Sequence, residues 1–148
     1  MRAGRHVLVA RLDNDGDVLL TGPAVRAVAA TAGRVTFLCS ERARSAAELL
    51  PGVDHIVTYE APWVPADPPA FDAAAAASLV DRLAGLDLDQ GLVLTSFHQS
   101  PLPLALLLRM AGVAELAAIS VDYPGALLDV RHQVSDELHE VERNLSLA

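Results

Sequence analysis

The sequence predicts a doubly wound α/β domain, on three observations. Short apolar runs alternate with helical segments along the chain, the order that yields a parallel sheet with helices on both faces. The first run, His6-Val7-Leu8-Val9-Ala10, has no polar interruption after its opening histidine and reads as a buried strand. Polar chemistry then gathers where strands end: Asp13-Asn14-Asp15-Gly16-Asp17 after the first, Ser96-Phe97-His98-Gln99-Ser100 after the fourth. Open α/β sheets build their ligand sites at that end, in the crevice where strand order reverses.

The elements follow in order. Residues 11–23 are expected as a polar loop and residues 24–30 as the first helix. Val35-Thr36-Phe37-Leu38-Cys39 is the second strand, entered through a turn at Gly33. Residues 42–50 form a short helix stopped by Pro51-Gly52, and residues 53–59 the third strand. Pro62, Pro65, Pro68 and Pro69 then forbid regular structure, so this stretch is an exposed excursion. It carries the single tryptophan, Trp63, which either plugs the loop onto the domain or flanks a ligand. Residues 72–86 are helical, with Leu79, Val80, Leu83 and Leu86 on one face. Gly91-Leu92-Val93-Leu94-Thr95 is the fourth strand. Ser100 and Pro101 open a helix over 101–111, apolar nearly all round and so expected to be buried, and Gly112 ends it. Residues 117–121 are the fifth strand, and a last helix runs from Ser135 with Leu138, Val141 and Leu145 as its stripe. The doubly wound order places strand one between strands two and four, giving three-two-one-four-five and bringing both polar loops to one crevice.

The bulk numbers bound the partners. The chain has 148 residues, enough for one domain with a real core, and 52% of them are hydrophobic. Its net charge is -8, every basic residue but the histidines is Arg, and an acidic, Lys-free surface disfavours nucleic acid and anionic membrane. The lone Cys39 reads as a core thiol. Without a long apolar span or leader, a cytoplasmic location is expected.

Three aspartates together need a reason: a solvated helix-capping turn, or chemistry. A calcium loop counted from Asp13 would need Gly and Glu where Val18 and Ala24 stand. A phosphate-cradling loop needs a Gly-rich run and usually Lys, neither of which is present, and a response-regulator receiver needs a Lys that the chain lacks. Asp13-Asn14-Asp15-Gly16 is similar to the first motif of haloacid-dehalogenase phosphatases, which would make Asp13 a nucleophile beside magnesium. Asp17 stands where that family has Thr or Val; the family also needs a later Lys or Arg and a further acidic pair for magnesium, and no convincing pair follows the fourth strand.

A wider pattern, R-x-D-x-x-G-D-V-L-L-T-x-P-A-V-R-A over residues 11–27, resembles the opening of the heptosyltransferase-like glycosyltransferases of family 9. The resemblance continues through Val35-Thr36-Phe37-Leu38, Pro51-Gly52-Val53-Asp54, Phe71-Asp72, residues 105–113 and residues 139–145. It implies a Rossmann-like fold forming the amino-terminal half of a two-domain GT-B enzyme. Residues 1–134 would hold a glycan acceptor, and 135–148 would begin the link to a carboxyl-terminal nucleotide-sugar domain outside this chain. It implies Asp17 as the catalytic base of an inverting displacement that needs no cofactor or metal. Arg11, Asn14, Gly16, Ser96, His98 and Gln99 are the accompanying substrate-binding candidates. Relatives of that family carry Gln-Gly and Arg-Ser where this chain has Phe97-His98-Gln99-Ser100, so the acceptor stays open. Any membrane contact would come through the acceptor alone.

Among the remaining candidates, Arg11 either pairs with Asp13 or Asp17 or binds an acidic group. His132 and His139 are expected at the surface, and Asp87-Leu88-Asp89 in a loop. A non-enzymatic sugar-binding domain is the third function class.

Overall fold

The computed structural model describes residues 4–148. Six strands form one sheet: β1 (His6–Arg11), β2 (Arg34–Cys39), β3 (His55–Thr58), β4 (Gln90–Leu94), β5 (Glu115–Ile119) and β6 (Val130–His132). Their order is β3-β2-β1-β4-β5-β6, and every neighbouring pair is parallel. The expected order of the first five strands holds. β1 is central, with Val9 opposite both Phe37 of β2 and Leu92 of β4.

Alternation along β1 divides the core into two layers. Leu8 and Ala10 pack with Leu79, Leu83, Leu104 and Leu108, from α4 (Ala73–Ala84) and α5 (Leu102–Met110). Val7 and Val9 face Val25 and Val28 of α2 (Gly22–Thr31), together with Phe37 and Cys39. Cys39 is buried, and burial pushes its thiol up to about 11, as an inert core residue requires.

Several elements differ from expectation. The stretch expected as a loop before residue 24 already contains α1 (Asp15–Leu19), because the Asn14 side chain accepts from Asp17 N at 3.1 Å and caps it. α2 starts at Gly22 with Pro23 in its first turn. The helix expected over 42–50 is a 3₁₀ turn at Glu41–Ala43 and one turn of α3 (Arg44–Ala47), then three-residue bonds Leu49 N to Ala46 O and Leu50 N to Ala47 O, both 3.1 Å. β5 starts at Glu115, two residues before the expected strand, and Val121 is exposed.

α5 is not buried all round. Leu104, Ala105, Leu107 and Leu108 are covered, but Leu106 and Met110, one turn apart, face outward. Gly112, at φ 86°, closes the helix in the left-handed region.

Two changes concern the far edge. β6 was not expected; Asp129 anchors it, accepting from Leu116 N and Arg109 Nη2, both at 2.7 Å. The last helix, α6 (Glu140–Leu147), starts five residues later than expected and turns a polar face inward. Arg143 and Asn144 are buried and Leu145 is exposed, the reverse of the apolar stripe. Asn144 Oδ1 accepts from Arg11 Nη1 at 3.4 Å, and its Nδ2 donates to Leu20 O at 3.4 Å. The physical cause is the guanidinium of Arg11: fully buried, it needs polar partners more than α6 needs an apolar seam. No helix among the described residues is long and apolar enough to cross a membrane.

Candidate functional site

A cleft of about 390 Å³ opens at the carboxyl ends of the central strands. Leu12, Asp13, Asn14 and Asp17 line it from the β1–α1 segment, and Ser96, His98 and Gln99 from the loop after β4. The two polar loops therefore meet. Sequence reasoning missed the far wall, Ser40 and Arg42 after β2 and Glu60, Ala61, Val64 and Pro65 after β3. Those residues lie at strand ends too, and the rule that drew attention to strands one and four applies to their neighbours.

Arg11 lies beneath the cleft and does not line it. Its side chain is 0% exposed, and Nη2 sits 3.0 Å from Asp13 Oδ2 and 3.6 Å from Asp17 Oδ1. On the other side Nη1 is 3.8 Å from Glu140 Oε1 of α6. One guanidinium thus holds together carboxylates from the β1–α1 segment, α1 and α6.

Asp13 is the unusual acid. The residue is 8% exposed. Burial raises its carboxyl above the ordinary value; Arg11 opposes this and the Asp17 charge reinforces it. The nearby Ser96 hydroxyl favours the charged form, and Oδ1 makes no hydrogen bond among the described residues. Ser40 Oγ donates to Asp13 O at 3.2 Å and also caps the 3₁₀ turn, accepting from Ala43 N at 3.3 Å. The backbone under the acid is therefore tied to β2.

Asp17 occupies the third position of α1 and is not its cap, since Asn14 performs that role. Its side chain is 28% exposed and faces the cleft. Gly16 is exposed, lies outside the cleft lining and has an ordinary φ; a Cβ there would meet only Asn14 Oδ1, at 3.4 Å. His98 is exposed on the cleft wall, its ring edge-on to Phe97 with centroids 4.1 Å apart, and makes no hydrogen bond among the described residues. Gln99 N donates to Ser96 O at 3.0 Å, closing the turn that presents both residues.

Trp63 packs against the core with its ring centroid 5.9 Å from Tyr59, the arrangement of a plug; it borders a small crevice beside Asp13 but not the main cleft. Asp89 accepts from His6 N at 2.7 Å and Asp87 turns the chain at φ 51°, so that acidic pair serves a loop. His132 Nε2 lies 3.1 Å from Ser146 Oγ, and exposed His139 caps α6 by accepting from Val141 N at 3.2 Å.

No family model matches this sequence, and no curated protein does. Solved structures do match in fold. ADP-heptose LPS heptosyltransferase II of E. coli superposes with a TM-score of 0.74 at 18% identity, over 96% of this chain and 39% of that one. A family 9 glycosyl transferase from Veillonella parvula DSM 2008 superposes with a TM-score of 0.69 at 14% identity, over 99% of this chain and 41% of that one. The fold is therefore heptosyltransferase-like, and the chain spans about 40% of the length of these structural neighbours.

Proposed function

We propose that this chain is the acceptor-holding, base-carrying half of an inverting, family 9-type glycosyltransferase. The position of Asp17 carries the reading: a carboxylate, 28% exposed, that lines the cleft where the β1 and β4 loops meet, with Arg11 behind it. In such a transfer the acceptor hydroxyl gives its proton to the carboxylate as its oxygen bonds to the anomeric carbon. The bond from that carbon to the nucleotide's phosphate oxygen breaks, and its electron pair leaves with the nucleotide. A positioned carboxylate meets the need for a base. Attack opposite the leaving group inverts the configuration.

In this assignment Asn14, Ser96, His98 and Gln99 contact the acceptor across the cleft, and Arg11 holds the acids. Gly16 contributes no side chain. Residues 1–134 bind the acceptor and 135–148 lead toward the donor half, although α6 already packs on this body through Asn144 and Leu147. The donor is a nucleotide sugar of heptose-like class held elsewhere in the longer protein, and the acceptor is a glycan. The reaction is assigned to the cytoplasm, with membrane contact only through the acceptor and no nucleic-acid partner. Phosphatase chemistry on Asp13 is not favoured: its Oδ2 is committed to Arg11, and the residue is 8% exposed, which leaves a nucleophile little access to a phosphate ester.

Proton NMR of the glycoside made by the full-length protein tests this assignment. The new linkage is expected with the anomeric configuration opposite to the donor's; retained configuration would contradict a single displacement on Asp17.

A further inference from the structure

We propose that the cleft takes an amine-bearing acceptor sugar, whose ammonium group is received by Asp13 Oδ1. This rests on the acceptor-binding assignment above. Two independent observations support it.

The first is Asp13 itself. Its side chain is 7% exposed, borders both the main cleft and the adjoining crevice, and spends Oδ2 on Arg11 while Oδ1 has no hydrogen-bond partner among the described residues. A buried carboxylate oxygen is costly to leave unpaired, and a ligand N–H is the donor that relieves the cost most when it is charged.

The second is the charge balance. The lining holds three carboxylates, Asp13, Asp17 and Glu60, against one guanidinium, that of Arg42. Adding Arg11 and its α6 partner Glu140 brings in one charge of each sign, so the excess persists. Arg42 is exposed, and the Arg11 guanidinium beneath Asp13 is already shared among Asp13, Asp17 and Glu140. A carboxylated or phosphorylated sugar entering there meets like charge; an ammonium meets opposite charge. Burial already disfavours a bare charge at Asp13, and a ligand cation offsets that.

The test titrates the chain at neutral pH and low salt with the methyl glycosides of glucosamine, glucose and glucuronic acid, following backbone amides by NMR. Glucosamine is expected to bind roughly five- to tenfold tighter than glucose, and glucuronic acid weakest. The shifts should fall in residues 12–18 and 95–100. Added salt should compress the ranking, and Asp13→Asn should bring glucosamine to the glucose level. Glucose binding as well as glucosamine, glucuronic acid ranking above glucose, or no shift in either segment would overturn the proposal. Glucuronic acid ranking first while the full-length protein still transfers with inversion would defeat this proposal alone. The expected ranking with no transfer would defeat the glycosyltransferase assignment and leave the amine site standing.

Discussion

Asp17→Asn is expected to lower turnover of the full-length enzyme by roughly 10²–10⁴-fold, with acceptor affinity and melting temperature nearly unchanged. Asn has the shape of Asp and can still accept a hydrogen bond, but it cannot take a proton. The stability side follows from the cap: Asn14 caps α1, so the helix start survives the substitution. Arg11 loses its partner at 3.6 Å and keeps Asp13 at 3.0 Å and Glu140 at 3.8 Å. Asp15→Asn is the control, because Asp15 is exposed and absent from the cleft lining; turnover within about threefold of the parent is expected. Asp13→Asn should act mainly through the Michaelis constant, as loss of a binding contact does. Steady-state kinetics on the three variants decide the matter, and Asp17→Asn turnover within about threefold of the parent would leave Asp17 a structural residue.

Arg11→Met is expected to cost about 3–5 kcal/mol of folding stability, the penalty for removing one partner from a buried charge cluster. The methionine fills much of the volume, but Asp13, 8% exposed, is left beside Asp17 with no cation between them. For a domain of this size the loss corresponds to a fall in melting temperature of roughly 10 °C. Arg44→Met gives the scale of an exposed pair: Arg44 and Glu48 are 3.5 Å apart at 46% and 57% exposure. Its removal should change stability by less than about 1 kcal/mol. Thermal melts followed by circular dichroism measure both, and an Arg11→Met loss no larger than that of Arg44→Met would show that the cluster contributes little.

The sheet was legible because its evidence is redundant. β1, β2 and β4 are covered on both faces, so their sequences are apolar almost throughout, and connection rules then order them. The meeting of residues 13–17 with 96–99 followed from that order alone. Short edge elements carry no such redundancy. Val130-Arg131-His132 has no period to read, and its place depends on the Asp129 carboxylate binding Leu116 N across the chain. α6 was misread for a different reason. Helical periodicity assumes that apolar residues mark the buried face, whereas Asn144 is buried because Arg11, far away in sequence, demands polar company; Arg143, also buried, lies 3.8 Å from Glu140 Oε1, the acid that Arg11 shares. α1 was hidden by Asp-Gly-Asp, poor helix formers that a single Asn14 cap suffices to order over one turn. Arg42 and Glu60 stand in segments with no motif, and only the folded sheet brings them to the cleft.

The central claim, that this body serves the acceptor and not the donor, is tested most directly by calorimetric titration of the 148-residue chain itself with nucleotide sugars. The acids of the cleft repel a diphosphate, so no tight binding is expected for any nucleotide tried. Micromolar binding of a nucleotide sugar to this chain would show that the acceptor and donor roles of the two halves are reversed.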